Sequence, residues 1–317
     1  MSVYLGIDTS NYTTSSAVYD SEAKSIVGSR LLLPVREGEL GLRQSDALFH
    51  HTKQLPTVIR ELGLGSFEKI SAVGVSEKPR SEDGSYMPCF LAGVCAAEII
   101  SSVSSVPVYK ASHQLGHILS ALYSSGMLWL IEREKRFLAF HVSGGTTDCL
   151  LAEPDMDDIL KISRLSASLD LKAGQLVDRV GLMLGLSFPC GKELESLAAA
   201  SSKSFSPKPF SRDGSISFSG AENICKRMLG DGEPYCDIAG FCLSYIEAAI
   251  YKMTEHALNS LGDSSLPVIY AGGVMSDRLI RKRLSENFDA HFSEPEFSCD
   301  NAAGVALFAA IKRGERL

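Results

Sequence analysis

The sequence predicts a mixed α/β chain of two duplicated lobes. Three observations point there: the chain's length, a strand-turn-strand unit that occurs twice, and short apolar strands that alternate with stretches of helical periodicity. At 317 residues the chain exceeds the size at which one hydrophobic core usually keeps growing, so two lobes are expected, at 1–130 and 131–317. Hydrophobic residues make up 45% and charged residues 22%, values that exclude a disordered, fibrous or low-complexity chain.

Each repeat opens on an apolar strand, passes through a turn of hydroxyl, amide or glycine residues, and returns on a second strand. The first runs through residues 3–7, 8–14 and 15–19, and the second through 137–142, 143–147 and 148–152. The repeated opening favours an actin-like lobe over a plain Rossmann sheet, and no Gly-x-Gly-x-x-Gly or Walker signature is present. In the first lobe the periodicity predicts helices at 51–62, 90–101 and 114–123 and a strand at 70–75. In the second it predicts helices at 174–184, 193–200, 236–261 and 277–284 and a buried strand at 267–270. A last helix at 302–312 is expected to return to the first lobe, and the Ser-, Pro- and Lys-rich stretch 201–213 reads as a loop.

The N-terminal residues lack a basic segment followed by an apolar one, and no apolar run approaches the roughly 18 residues of a membrane span, so a cytoplasmic protein with no membrane partner is expected. Eight cysteines are scattered without a Cys-x-x-Cys pair, which suggests reduced core residues rather than a zinc ribbon or disulfide framework. A net charge of −7 has the wrong sign for gripping nucleic acid through the overall field. Any RNA contact would be local. Arg278, Arg281, Lys282 and Arg283 on one helix, and Arg133, Lys135 and Arg136, form basic clusters that read as a solvated face and a charged loop before an RNA footprint.

His113 and His117 are spaced i, i+4 near a helix start, so both imidazoles can project from one face toward one ion; the alternative is two polar helix residues. Asp300, just ahead of an Ala-rich helix, is a candidate third ligand or an ordinary N-cap. In Val142-Ser143-Gly144-Gly145-Thr146-Thr147, two glycines between strands let backbone N–H groups approach an anion, although a simple hairpin turn has the same look. Gly272 and Gly273 follow a buried strand and lead toward a helix, an arrangement suited to a nucleotide.

Taken together, these segments resemble the tRNA threonylcarbamoyladenosine synthase (TsaD, glycoprotease-type) family along nearly the whole chain. Leu5-Gly6-Ile7-Asp8-Thr9-Ser10 looks like its opening strand and loop, His113-x-x-x-His117 like its metal-ligand histidines, and Val142-Ser143-Gly144-Gly145 like its glycine loop. The stretch from Leu184 through Phe188, Pro189 and Cys190 to Gly191 is similar to its Leu-Gly-x-x-Tyr-Pro-Gly-Gly segment, and Phe218-Ser219-Gly220 to its Phe-Ser-Gly turn. Ala271-Gly272-Gly273-Val274 and Asp300-Asn301-Ala302-Ala303 resemble its two C-terminal signatures. The resemblance implies two actin-like/sugar-kinase-type (RNase H-like) lobes around a nucleotide cleft. It implies transfer of a threonylcarbamoyl group from an adenylate to N6 of adenosine 37 of tRNA. It further implies iron(II) or zinc held by His113, His117 and Asp300. An adenylate or adenine nucleotide would be lined by His141, Val142, Ser143, Gly144, Gly145, Asp178, Gly191, Gly272, Gly273 and Asp277. Implied partners are tRNA and companion tRNA-modification proteins, including a shorter paralogue and a small ATPase.

The chain also departs from the family's pattern. Asn11-Tyr12-Thr13-Thr14 stands where the family has Cys-Asp-Glu-Thr, and Thr146 stands for a histidine. Gln175 replaces a glutamate, Glu222 a lysine and Asp277 an asparagine. Loss of charge near a reacting centre commonly costs several kcal/mol of transition-state stabilisation. Two alternatives follow, a carbamoyl transferase with a small-molecule acceptor and a non-catalytic paralogue subunit. A peptidase finds no support in a Ser/His/Asp, Cys/His or His-Glu-x-x-His arrangement.

Overall fold

The computed structural model describes residues 2–10, 12–34, 42–66, 70–82, 84–297 and 302–316. The chain divides into two compact units, one of Met1–Lys135, Pro154–Lys161 and Glu296–Leu317, the other of Arg136–Glu153 and Ile162–Pro295. In chain order the first segment carries β1 (Val3–Asp8), β2 (Thr13–Asp20), β3 (Ser25–Leu32), α1 (Gln44–Glu61), β4 (Ile70–Lys78), α2 (Phe90–Ser104), β5 (Val108–Ser112), α3 (His113–Ser124) and α4 (Trp129–Glu132). There follow β6 (Phe137–Val142), β7 (Thr147–Asp155), β8 (Ile159–Ala167), α5 (Ala173–Met183), α6 (Gly191–Ala198), β9 (Ser211–Arg212), β10 (Ser215–Ile216), α7 (Ser219–Gly230) and α8 (Tyr235–Leu261). The chain then forms β11 (Val268–Ala271), α9 (Arg278–Asn287), β12 (Ala290–Phe292) and α10 (Ala302–Lys312).

Two five-stranded sheets share one order, β3-β2-β1-β4-β5 and β8-β7-β6-β11-β12. In the first, β1 is antiparallel to β2 and parallel to β4, which is parallel to β5. In the second, β6 is antiparallel to β7 and parallel to β11, which is parallel to β12. The duplication that the two hairpins announce therefore extends through the whole sheet order.

Strand β1 is buried throughout, as expected of an apolar run covered on both faces. Val3, Leu5 and Ile7 pack with Leu55 and Val58 of α1 and Ala92 and Ala97 of α2. Tyr4 belongs to the opposite core, with Tyr19, Ala72 and residues Ala306, Leu307, Ala309 and Ala310 of α10. Helix α10 is buried from Ala302 to Ala310, which its small apolar sequence permits. Its backbone lies against the sheet: a methyl group on Gly6 would overlap the Ala302 carbonyl, and one on Gly74 the Val305 carbonyl. Likewise, a methyl group on Gly304 would overlap the carbonyl of Gly116 in α3.

In the second unit an aromatic ladder crosses three parallel strands. Phe140, Tyr270 and Phe292 are register partners, with successive ring centroids 5.1 Å apart. Such cross-strand pairs stabilise a register beyond the area they bury. Tyr270 Oη lies 2.8 Å from Thr254 Oγ1 of α8, which satisfies the buried phenol.

Every helix read from the sequence is present; α1 begins seven residues earlier than expected, and the other ends shift by at most three. Within the stretch expected as loop, Ser211–Arg212 pairs with Ser215–Ile216. Strands β3, β5, β8 and β12 and helices α4 and α7 are additional to that reading. Cys89, Cys149, Cys190, Cys225 and Cys242 are buried free thiols. Among the described residues, no helix is long and apolar enough to cross a membrane.

The glycine contacts lead to a stability prediction. Gly74→Val must displace α10 from the sheet, so it should cost about 3 kcal/mol or more in urea unfolding, at the upper end of core overpacking. A loss below about 1 kcal/mol would show that α10 can shift freely.

Candidate functional sites in the two units

In the second unit the candidate site starts from paired strands. Ala271 is the register partner of His141, so β6 and β11 end side by side. The turn after β6 is closed by Ser143 N–H donating to the Thr146 carbonyl at 2.7 Å. Ser143 Oγ accepts from Gly145 N–H at 3.2 Å and from Thr146 N–H at 3.1 Å. Gly272, after β11, has φ +104, and a methyl group there would overlap the Val142 carbonyl. Only glycine fits both the backbone angle and the contact. Methyl groups on Gly144, Gly145, Gly191 or Gly273 would meet nothing within 4 Å, so these backbones are open to approach.

The N-terminus of α5 is pressed onto the same turn. Gly174 N–H donates to the Ser143 carbonyl at 3.1 Å, and a methyl group on Gly174 would fall 2.5 Å from Gly144 N. Ala173 N–H donates to Thr147 Oγ1 at 3.0 Å. A helix N-terminus with open glycine backbone beside it favours an anionic group. One turn into α5, Asp178 Oδ1 accepts from Cys190 N–H at 3.0 Å, tying the residue before Gly191 and α6 to α5. Asp277 caps α9, accepting from Leu279 N–H at 2.9 Å and Ile280 N–H at 3.1 Å. Burial pushes its carboxyl up, and Glu195 adds to this, against the two backbone bonds.

Several residues that depart from the family pattern have structural bonds of their own. Gln175 Oε1 accepts from Lys172 N–H at 3.1 Å in the first turn of α5. Glu222 accepts from Lys226 Nζ at 2.6 Å and Arg179 Nη1 at 3.0 Å. The Lys226 bond first, then Arg179, holds its carboxyl below the usual range against burial. The Tyr12 carbonyl accepts from Leu33 N–H at 2.8 Å. Thr14, which matches the family's threonine, is buried, its Oγ1 2.8 Å from His51 Nδ1.

The first unit holds the two histidines. Ser112 caps α3, its Oγ accepting from Leu115 N–H at 3.2 Å, and the helix opens on His113. The His113 and His117 rings lie 4.6 Å apart between centroids, inclined at 72°. The two rings are therefore neighbours on one face of α3, as the i, i+4 spacing requires. Asp300, the expected third ligand, lies outside the described residues. Among those residues no group of three His, Cys, Asp or Glu side chains is placed to hold a metal ion.

Sequence reading did not connect Asp8 to this pair. The buried Asp8 Oδ2 lies 2.9 Å from His113 Nδ1 across 105 residues of chain, a distance in sequence that no spacing rule spans. Asp8 Oδ1 accepts from Ser10 N–H at 2.9 Å, and Oδ2 also accepts from Ser76 Oγ. Burial pushes this carboxyl up, but the neighbouring His113 and the bonds from His113, Ser10 and Ser76 outweigh it and bring its pKa to about 2.

The basic residues are partly engaged. Arg281 donates to the Met275 and Ser293 carbonyls at 2.8 and 3.0 Å, and Arg283 pairs with Glu247 at 2.9 Å. Both also stack on aromatic rings. A cavity of about 460 Å³ bounded by Glu98, Tyr109, Lys110, Asp157 and Lys312 includes none of the candidate site residues.

The family model for tRNA N6-adenosine threonylcarbamoyltransferase, TsaD, matches residues 41–307. The tRNA N6-adenosine threonylcarbamoyltransferase of Aromatoleum aromaticum is 27% identical over 328 residues, covering 97% of this chain and 90% of that protein. Among solved structures, full-length HypF in its phosphate- and nucleotide-bound form aligns at TM-score 0.59 and 13% identity, covering 98% of this chain and 55% of that one. The ROK hexokinase of Thermus thermophilus aligns at TM-score 0.50 and 12% identity, covering 99% and 100%. The fold is thus that of actin-like ATPases and sugar kinases, as the repeated hairpin suggested.

The cap at Asp277 has a pH signature. A carboxyl raised in the folded state favours folding at low pH, and its contribution falls as pH rises through that raised value. Asp277→Asn keeps an acceptor for Leu279 and Ile280 but removes the buried charge. It should therefore be as stable as the parent at pH 7 or more so, and lose ground to it as the pH is lowered toward 4 in urea titrations. Asp277→Ala should cost about 1 kcal/mol at pH 7, the usual effect of losing an N-cap, and more as the pH is lowered toward 4, because it too lacks the titrating carboxyl.

Proposed function

The chain belongs to the tRNA N6-adenosine threonylcarbamoyltransferase family, and on that premise we propose that it transfers a threonylcarbamoyl group from threonylcarbamoyl-adenylate to N6 of adenosine 37 in tRNA. The observation that carries the reading is the juxtaposition of Ser143-Gly144-Gly145, Gly272-Gly273 and the N-terminus of α5 in one unit. Unobstructed glycine backbone beside the positive end of the α5 dipole suits the phosphate of an adenylate. His141 and Val142 end the strand before it, Asp178 within α5 holds the residue before Gly191 at the start of α6, and Asp277 caps α9 beyond the second glycine pair. A nucleotide is bound to the structurally similar HypF, which supports a nucleotide here.

His113, His117 and Asp300 are proposed to hold one divalent ion, iron(II) or zinc. When bound, such an ion supplies a Lewis acid that polarises an acyl or phosphoryl oxygen. tRNA and the companion modification proteins, a shorter paralogue and a small ATPase among them, are the proposed partners, and the cytoplasm the proposed compartment.

The same reading includes slower chemistry than in a motif-complete relative. Gln175 has the shape of a glutamate without its basicity, and its amide oxygen caps α5. Glu222 reverses the expected charge and is neutralised by Arg179 and Lys226. Thr146 removes an imidazole from the glycine turn. These changes spare the backbone groups that would hold the adenylate, so binding should suffer less than turnover.

The test is incubation with threonylcarbamoyl-adenylate and unmodified tRNA, alone and with the companion proteins, followed by nucleoside analysis, alongside calorimetry of adenylate binding. Expected are binding comparable to that of a motif-complete relative and modification at least tenfold slower. Modification at an equal rate refutes the slow-chemistry reading, and binding without any modified nucleoside refutes the tRNA acceptor. His117→Ala should abolish stoichiometric metal by elemental analysis, and a parent protein purified without chelator that carries none, and takes none up, refutes the metal assignment.

A further inference from the structure

We propose that Asp170 is a positioning residue: by gripping the N-terminus of α7 it fixes the entry to α5, and through α5 the glycine turn that the nucleotide reading assigns to a phosphate. The proposal rests on that reading and deepens it. It gives the Phe218-Ser219-Gly220 turn a part in the same site.

The argument follows hydrogen bonds from α8 toward the glycine turn. Tyr245 Oη of α8 donates to the Ser217 carbonyl at 2.9 Å, and the fully buried Phe218 ring packs on Tyr245 with centroids 6.3 Å apart. The segment before α7 is thereby anchored. Asp170 Oδ1 accepts from Phe218 N–H at 2.8 Å and from Leu171 N–H at 2.7 Å. Oδ2 accepts from Ser217 Oγ at 2.6 Å, Ser219 Oγ at 2.5 Å and Ser219 N–H at 3.3 Å. An ionised carboxylate only accepts, and each of these groups can donate to it. Burial pushes the carboxyl up, but the bonds from Ser217, Ser219, Phe218 and Leu171 outweigh it and hold it below the usual range. A carboxylate from another segment thus caps α7, whose own N-cap residue, Phe218, has no polar side chain.

The segment that bears Asp170 is held on two sides. On one, Ala167 N–H donates to Ser215 Oγ at 3.2 Å and Leu169 N–H to the Ile216 carbonyl at 2.8 Å, and Asp170 extends this pairing to residues 217–219. On the other, Ser168 N–H donates to the Thr147 carbonyl at 2.9 Å and Ala173 N–H to Thr147 Oγ1 at 3.0 Å. Helix α5 begins at Ala173, and Gly174 lies at backbone contact with Gly144. With no side chain between those backbones, a displacement of the α5 entry passes directly to the turn. Bonds to a charged acceptor are roughly twice as strong as neutral ones, which makes Asp170 the firmest link in the series.

The experiment compares the full-length parent with Asp170→Ala and Asp170→Asn. Calorimetry uses two probes, adenosine 5′-monophosphate and adenosine, which lacks the phosphate, and amide hydrogen exchange is followed without ligand. In Asp170→Ala, monophosphate affinity should fall about tenfold, the weight of one hydrogen bond to a charged group, while adenosine affinity changes less than about twofold. Exchange at the Ala173 and Gly174 amides should quicken about tenfold or more while that of the α8 amides stays the same, as local opening predicts. Asp170→Asn keeps an oxygen for Leu171 and Phe218 and an NH₂ group for the serine hydroxyls, so it should stay within about threefold of the parent. Equal losses for the two probes, or a folded Asp170→Ala with unchanged monophosphate affinity, overturn the proposal. So does unchanged exchange at Ala173 and Gly174, whatever the probes do. Should Asp170→Ala not fold, the double variant Ser217→Ala, Ser219→Ala removes two donors and leaves the carboxylate. It should weaken monophosphate binding about threefold and quicken the same two amides, and no change in either overturns the proposal. If the parent binds neither probe, the nucleotide reading fails, and exchange alone then decides whether Asp170 sets α5.

Discussion

The backbone contact between α10 and the elements around it is the constraint on which the first unit depends. Gly6 and Gly74 let the helix lie directly on β1 and β4, and Gly304 lets it meet the carbonyl of Gly116. Gly116 sits in α3 between His113 and His117. The helix that carries both imidazoles is therefore held at backbone distance from the first turn of α10, with no side chain between to adjust the spacing. Asp8 reaches His113 from the end of the same β1 that Gly6 presses against α10. A shift of α10 would thus be felt by the strand that bears the carboxylate and by the helix that bears the rings.

The second unit solves the corresponding problem with large side chains instead of small ones. The ladder of Phe140, Tyr270 and Phe292 locks β6, β11 and β12 in register, and that register makes the two glycine pairs neighbours. Equivalent positions in the duplicated sheets then carry different chemistry. The turn after β1 follows a buried carboxylate and a backbone donor, whereas the turn after β6 offers glycine backbone and a helix N-terminus. One topology thereby holds a histidine in place in one unit and leaves glycine backbone open to approach in the other.

Much of this was legible in the sequence because the signals were local. The hairpin turns, the i, i+4 histidines, the glycine pairs and the long amphipathic or apolar helices all lie within short windows. What escaped had a physical reason. β3 is an exposed edge strand whose Gly28, Ser29 and Arg30 dilute its apolar character, and β12 spans three residues. Helix α7 mixes Gly, Asn and Cys with charged residues and has a short buried stripe of Ala221, Glu222 and Cys225. The bonds from Asp8 to His113 and from Arg179 to Glu222 join residues far apart in the chain, so only folding reveals that an acid stands behind a histidine or that a reversed charge is neutralised.

The hydroxyl of Ser143 gives the glycine turn an occupant of its own. It accepts from the two backbone N–H groups of Gly145 and Thr146, so these dipoles are already satisfied before any ligand arrives. Ligand capture at this turn is consequently an exchange of partners rather than the filling of a void. A neutral oxygen replaces one neutral hydrogen bond with another and gains little, whereas a phosphate or acyl-phosphate oxygen gains from the stronger charge-assisted bond. On the nucleotide reading proposed above, the serine would act as a threshold, setting a minimum charge that a guest must carry to displace it.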